Sequence, residues 1–103
     1  MAALKPGAVL KSATCTTEIM VVRTPAGADV DVRCGGAPMA PTRDPANAVA
    51  LDPAFAEPTL VGKRYNDATE QFEFLCTKGG QGSLTLNGAP LTIKVAKALP
   101  SSD

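Results

Sequence analysis

Residues 79–91 read GGQGSLTLNGAPL, and residues 27–39 read GADVDVRCGGAPM. Both stretches end in Gly-Ala-Pro followed by a large apolar residue, and the two endings lie 52 positions apart. A pattern that returns after a fixed interval indicates an internal repeat, which has to be recognised before the fold is predicted. These stretches therefore predict a fold built from two related units.

The repeat extends upstream of the two endings. With a shift of 52, five of 22 positions are identical between residues 18–39 and 70–91. The identical pairs are Glu18/Glu70, Gly27/Gly79, Gly36/Gly88, Ala37/Ala89 and Pro38/Pro90. Two copies are too few for a solenoid, but they can form a pseudo-symmetric pair like a homodimer fused into one chain.

Each copy is typical of a β-hairpin, because alternating apolar and polar residues flank a turn rich in Gly or Pro. The predicted strands are EIMVVR (18–23) and VDVRC (30–34) in the first copy, and QFEFLC (71–76) and SLTLN (83–87) in the second. We expect Phe72, Phe74 and Cys76 to share one face. A last strand, LTIKVAK (91–97), precedes the tail.

The segment between the copies, residues 40–61, contains four prolines and is predicted to be a Pro-rich linker. The sequence is compatible with short turns of helix around NAVAL (47–51). The linker is not simply polar: its larger apolar residues are Val49, Leu51, Phe55, Leu60 and Val61. These side chains are expected to pack on the body of the protein or on a partner.

Gly62-Lys63-Arg64-Tyr65 opens the second copy, and Gly36-Ala37-Pro38-Met39 closes the first. With these motifs the repeat resembles the small rubredoxin-like unit of desulforedoxin and of the N-terminal domain of desulfoferrodoxin. That family has the pattern Gly-x-x-Tyr-x-Cys-x-x-Cys, two strands around a Gly-rich turn, and Cys-Cys-Gly-x-Pro-Met. The resemblance covers most of residues 7–39 and 62–91.

The resemblance implies four cysteine ligands for iron in each unit, and this chain departs from that pattern. The first copy has Cys15 and Cys34 at the first and third ligand positions, with Glu18 and Gly35 at the second and fourth. The second copy has Asp67 and Glu70 at the first two positions and no cysteine at the last two. The chain has three cysteines in total, so ligand count excludes a four-thiolate iron centre.

The amino-acid composition argues against several classes of function. The 103 residues include ten Lys+Arg and ten Asp+Glu, so no basic excess predicts a nucleic-acid surface. The chain has no His, which removes the commonest general base and metal ligand. No apolar run approaches the roughly 20 residues of a membrane span, and the first residues do not resemble a signal peptide. We expect a cytoplasmic protein without a membrane or nucleic-acid partner.

The main candidate site combines Cys15, Glu18 and Cys34, which the resemblance would bring together. Three interpretations are open: a reduced zinc-like metal site, a Cys15–Cys34 disulfide, or two free thiols. The sequence favours two free thiols, because a free Cys commonly behaves as a small buried apolar residue.

Three other features have simpler explanations than catalysis. Asp67 and Glu70, with Asn87 nearby in the pattern, could do acid–base chemistry, but capping of backbone N–H groups is favoured. Cys76 has only Lys78 as an adjacent activating group, so a structural role is favoured. The glycines of residues 79–82 lead into a strand and lack the following Lys-Ser/Thr, which favours a turn over a phosphate loop.

The sequence predicts an all-β protein: two rubredoxin-like β-hairpin units in pseudo-two-fold arrangement, joined by a Pro-rich linker. The predicted divisions are a first unit over 1–39, the linker over 40–61, a second unit over 62–98 and a tail over 99–103.

We expect a non-catalytic accessory subunit that binds an enzyme and stabilises or regulates it, with no cofactor. The predicted partner-binding residues are Val49, Leu51, Phe55 and Leu60. The alternative is a small zinc or iron protein with a reduced Cys/Glu site. Catalysis by Asp67 and Glu70 is the third hypothesis.

Overall fold

The computed structural model describes residues 2–42 and 48–93, and it confirms the predicted all-β class. The strands are β1 (Ala2–Ala3), β2 (Val9–Lys11), β3 (Glu18–Arg23), β4 (Asp29–Val30), β5 (Val32–Cys34), β6 (Ala37–Pro38), β7 (Arg64–Asn66), β8 (Glu73–Lys78), β9 (Leu84–Leu86), β10 (Ala89–Pro90) and β11 (Thr92–Ile93). A turn of 3-10 helix spans Pro53–Phe55. In these ranges no helix is long and apolar enough to cross a membrane.

Most of the strands belong to two antiparallel sheets. The first has five strands in the order β11-β7-β8-β3-β2, and the second has four in the order β10-β9-β5-β6. A two-stranded ribbon joins β1 to β4. Strands from the early and late parts of the chain meet at the centre of both sheets, at β3·β8 and β5·β9. The two parts therefore share both sheets.

The repeated Gly-Ala-Pro endings form matching hairpins at the edges of the four-stranded sheet. Gly35-Gly36 links β5 to β6, Asn87-Gly88 links β9 to β10, and all four residues have positive φ, between 50° and 90°. Two-residue turns with positive φ at both positions match the twist of the strands, and Gly tolerates this conformation best. Pro38 and Pro90 then occupy edge strands, where a missing N–H is tolerated.

The pairing registers of the central strands have an internal symmetry. In β5·β9, adding 52 to the number of the β5 residue of a pair and subtracting 52 from that of its β9 partner gives two residues that are also paired in this ladder. Those pairs are Val32↔Leu86, Arg33↔Thr85 and Cys34↔Leu84. In β3·β8 the same relation holds with a shift of 55, for Ile19↔Cys76, Met20↔Leu75 and Val21↔Phe74. The shifts differ because the connection between β3 and β5 is three residues longer than that between β8 and β9.

The predicted strands form, but the predicted pairing between them is wrong. Glu18–Arg23 lies in the five-stranded sheet, whereas Val32–Cys34 lies in the four-stranded sheet, and β8 and β9 are separated in the same way. Alternation shows which face of a strand is buried, but it does not specify the partner strand. The hairpins instead join β2 to β3, β5 to β6, β7 to β8 and β9 to β10.

The core combines side chains from both sheets. Ile19, Val21 and Phe74 of the five-stranded sheet are almost completely buried, as is Cys34 of the four-stranded sheet. Phe72, Phe74 and Cys76 are all buried, which confirms the alternation predicted for this strand.

The described part of the predicted linker is bonded to the body of the protein. Thr59 and Gly80 exchange two backbone hydrogen bonds of 2.9 and 3.2 Å, and the Ser83 N–H donates to the Phe55 carbonyl at 2.8 Å. Residues 48–51 form no helix, and residue 47 of the predicted helical turn lies outside the described residues. Residues 94–97 of the predicted last strand and the tail over 99–103 also lie outside them.

Replacing Phe74 by Ala is expected to lower the unfolding free energy by about 3–5 kcal/mol, because a completely buried ring leaves a cavity. Urea denaturation of the purified chain measures this change. Val61→Ala is the matched control: its side chain is 64% exposed, so the change should stay within about 0.5 kcal/mol. Equal effects for the two variants would contradict the assignment of the core.

Candidate functional site: the Cys15–Cys34 thiol pair

Cys15 lies in the tight connection between β2 and β3, and Ser12 holds this connection in shape. The buried Ser12 Oγ accepts hydrogen bonds from the backbone N–H groups of Thr14 and Cys15, at 3.1 and 3.2 Å. The Thr14 hydroxyl donates to the Cys34 carbonyl at 3.1 Å. These local side-chain-to-backbone bonds fix the loop and attach it to the end of β5.

Cys34 ends β5, and its sulfur meets that of Cys15 across the two sheets. The two Sγ atoms are 3.7 Å apart, and both residues are free thiols. Cys34 is 0% exposed, whereas Cys15 is only partly buried. A disulfide needs about 2.05 Å between its sulfurs, so the two sulfur atoms are neighbours but must move closer together before they can bond.

Two glycines from the connection between β8 and β9 lie directly against the two sulfurs. A Cβ built on Gly80 would lie 2.9 Å from the Cys15 Sγ, and one built on Gly82 would lie 2.9 Å from the Cys34 Sγ. Real Cβ atoms essentially never approach a neighbour so closely, so both positions require glycine. The sequence Gly-Gly-Gln-Gly therefore lets the backbone of the second half cover the thiols of the first.

The pKa values of the two thiols shift in opposite directions, because hydrogen bonds dominate at Cys15 and burial dominates at Cys34. Burial by itself raises the pKa of Cys15, but the Ser12 and Thr17 hydroxyls and the Thr17 and Gly82 backbone groups outweigh it. The pKa of Cys15 falls from its ordinary value of 9.0 to about 6. Burial raises the pKa of Cys34 to about 11, and the neighbouring Cys15 charge adds to this increase. At neutral pH the pair therefore consists of an accessible thiolate and a buried thiol.

The structure brings Cys15 and Cys34 together but does not add Glu18 to them. The Glu18 carboxylate instead lies 3.7 Å from the Lys78 Nζ. Within residues 2–42 and 48–93, no three His, Cys, Asp or Glu side chains are grouped so that they could hold a metal ion. The four-thiolate iron site implied by the resemblance therefore does not fit the described residues.

Asp67 has the capping role that the sequence favours. Its carboxylate accepts hydrogen bonds from the N–H groups of Thr69 and Phe72, at 3.3 and 3.0 Å, and from the Thr69 hydroxyl. Burial opposes ionisation of Asp67, but these bonds lower its pKa. Glu70 is exposed in a left-handed conformation, and Asn87 bonds to the backbone of Asp31.

Cys76 lies on the apolar face of β8, 1% exposed, and its thiol donates to the Lys78 carbonyl at 3.1 Å. Burial raises its pKa. This thiol is therefore inaccessible and protonated at neutral pH.

The predicted partner-binding residues divide into two groups. Leu51 and Phe55 are partly buried against the Gly35-Gly36 turn. Val49 and Leu60 are exposed, as is Val61, which lies against Gly79. A separate groove of about 330 Å³ is lined by residues that include Tyr65 and Leu84, and by none of the cysteines.

Comparison with known proteins found no matching family model, no matching curated protein and no matching solved structure.

Sequence reasoning missed four residues of this site: Ser12, Thr17, Gly80 and Gly82. The signals were present, since Ser and Thr flank Cys15 and glycine occurs three times within residues 79–82. The segment around Cys15 and residues 79–82 are far apart in the sequence, so a local pattern could not predict that they are in contact.

Alkylation of the folded protein by iodoacetamide is expected to modify Cys15 first. Because the thiolate is the nucleophile, the rate should rise with pH and reach half its maximum near pH 6. Peptide mass mapping at each pH measures the reaction, and the buried Cys76 is the internal control. A half-maximum near pH 9, or faster modification of Cys76, would contradict the site.

Proposed function

We propose that this chain is a small thiol–disulfide redox protein in which Cys15 and Cys34 alternate between a dithiol and an intramolecular disulfide. The observation that supports this proposal is the 3.7 Å separation of one partly exposed and one buried sulfur. Reversible exchange needs an accessible attacking thiolate and a second thiol close enough to resolve the mixed disulfide.

The difference in exposure between the two sulfurs supports one order for the two steps of the exchange. The Cys15 thiolate attacks one sulfur of an external disulfide, whose S–S bond breaks, and the departing thiolate takes up a proton. Cys34 then loses its proton and attacks the Cys15 sulfur, which releases the second external thiolate. Two electrons pass from the dithiol to the external disulfide, and the reverse sequence restores the thiols.

We further propose that the two halves are copies of one unit related by an approximate two-fold axis. The exchange symmetry of the strand registers supports this relation. The shift of 55 found for β3 and β8 makes Glu70 the counterpart of Cys15. The shift of 52 found for β5 and β9 makes Leu86 the counterpart of Cys34. A uniform shift of 52 would instead pair Cys15 with Asp67. On this proposal the second half has lost the two cysteines equivalent to Cys15 and Cys34, and its Gly80 and Gly82 cover the two thiols of the first half.

The redox proposal predicts a reversible Cys15–Cys34 bond. When the protein is equilibrated in glutathione buffers with an increasing oxidised fraction, the Cys15–Cys34 disulfide should form in a single two-electron transition. Alkylation of the remaining thiols followed by mass mapping measures the fraction of disulfide in each buffer. Cys34→Ser should abolish this transition. Cys76→Val is the matched control, because Val occupies the counterpart position 21, and it should leave the midpoint unchanged.

Two results would count against the redox proposal. One is a pair that stays reduced in fully oxidising buffer. The other is stoichiometric zinc or iron in protein purified without chelator, which would favour the metal-binding alternative.

A second candidate function is the accessory subunit predicted from the sequence. It is favoured by Val49, Leu60 and Val61, which are 48%, 47% and 64% exposed in the described chain. Leu60 and Val61 are adjacent in the sequence, and contiguous exposed apolar side chains are typical of surfaces that a partner covers.

The accessory-subunit proposal predicts that one protein co-purifies stoichiometrically with the wild-type chain from its native cell. Leu60→Ser combined with Val61→Ser should lose that protein and retain the wild-type unfolding midpoint, because neither side chain is in the core. Thr77→Ala, at another exposed position, is the control. Retention of the partner by the double variant would contradict this surface.

A further inference from the structure

The immediate surroundings of the Cys15 sulfur restrict what can react with it. The Ser12 and Thr17 hydroxyl oxygens lie 3.3 and 3.2 Å from the sulfur, and the Cys34 sulfur lies 3.7 Å from it. The Gly80 backbone covers another side. A sulfur crowded in this way admits a small electrophile more readily than a protein disulfide, which brings substituents on both of its sulfurs.

The groups around Cys15 are also hydrogen-bond donors. In the thiol form, Cys15 has one proton to donate, to either the Ser12 or the Thr17 hydroxyl oxygen. In the thiolate form the sulfur has no proton and can only accept, so hydroxyls at these distances become its donors. Thr17 is 0% exposed and Ser12 is 1% exposed, so their hydroxyls are shielded from bulk water. Fixed donors in such a setting stabilise charge that develops on an atom next to the sulfur.

We infer that the oxidant of the Cys15–Cys34 pair is a hydroperoxide, with Cys15 as the reacting residue, Cys34 as the resolving residue, and Ser12 and Thr17 as donors to the departing oxygen. This inference rests on the proposed dithiol function and names its substrate class. A peroxide O–O group is small enough for the crowded sulfur. Its reduction also moves negative charge from sulfur to an oxygen that hydroxyl donors can stabilise.

The chemistry balances in two steps. The Cys15 thiolate attacks one oxygen of R–O–O–H; the O–O bond breaks, Cys15 becomes a sulfenic acid, and the departing alkoxide or hydroxide takes up a proton. The Cys34 thiol then attacks the sulfenic sulfur, which forms the disulfide and releases water. Two molecules of an external thiol such as glutathione return the pair to the dithiol: the first attacks the disulfide to give a mixed disulfide, and the second displaces the protein thiol and forms the external disulfide.

The experiment compares hydrogen peroxide with an electrophile that has no such departing oxygen. Stopped-flow rates with hydrogen peroxide and with iodoacetamide are measured for the full chain at a pH where Cys15 is fully ionised in each variant. Thr17→Val should lower the peroxide rate by about tenfold or more and leave the iodoacetamide rate within about threefold. Thr16→Val is the matched control, because the exposed Thr16 hydroxyl bonds to the Gly79 carbonyl instead.

A second measurement does not depend on how well Thr17→Val folds. In Cys34→Ser, dimedone should trap a sulfenic acid on Cys15 after peroxide treatment, whereas the wild type should give the intramolecular disulfide. If hydrogen peroxide reacts with Cys15 no faster than with free cysteine while glutathione disulfide still yields the Cys15–Cys34 bond, the hydroperoxide inference fails and the dithiol function stands. If neither oxidant yields that bond, both fail.

Discussion

The pairing of β3 with β8 and of β5 with β9 is the constraint on which the rest of the structure depends. Both pairs join an early strand to a late one, so neither half of the chain completes a sheet alone. The pairing also brings the connection between β8 and β9 across the loop between β2 and β3. The thiol pair is consequently a product of the whole fold: the first half supplies the sulfurs, and the second supplies Gly80 and Gly82.

The two thiols differ because their surroundings differ. Cys15 sits in a loop where hydroxyl and backbone groups stabilise negative charge, whereas Cys34 ends a buried strand. Cys15 is only partly buried, so burial raises its pKa less than the hydrogen bonds lower it. The groups that lower its pKa are hydroxyl and backbone groups, and none of them is a cation. A disulfide-forming pair needs this combination: one sulfur that reacts at neutral pH and one that stays protected until its neighbour has reacted.

Sequence reasoning could predict the local features of this protein but not its long-range pairing. Alternation predicted the strands and the buried face of Phe72, Phe74 and Cys76. The Gly-Ala-Pro repeat was visible in the sequence, but the two edge hairpins that it forms were not predicted. The partners of β3 and β5 could not be predicted, because a connection rich in Gly or Pro can turn back within a sheet or cross to another one. The role of Gly80 and Gly82 depends on that pairing, so it also remained hidden.

The most direct test of the account is the ¹³Cβ chemical shift of each cysteine, measured by NMR on the full chain in reduced and in oxidised glutathione. The account predicts that the resonances of Cys15 and Cys34 move together into the range of disulfide-bonded cysteine, while that of Cys76 stays in the thiol range. Resonances of Cys15 and Cys34 that both stay in the thiol range under oxidising conditions would contradict it. So would a shift of Cys15 without Cys34.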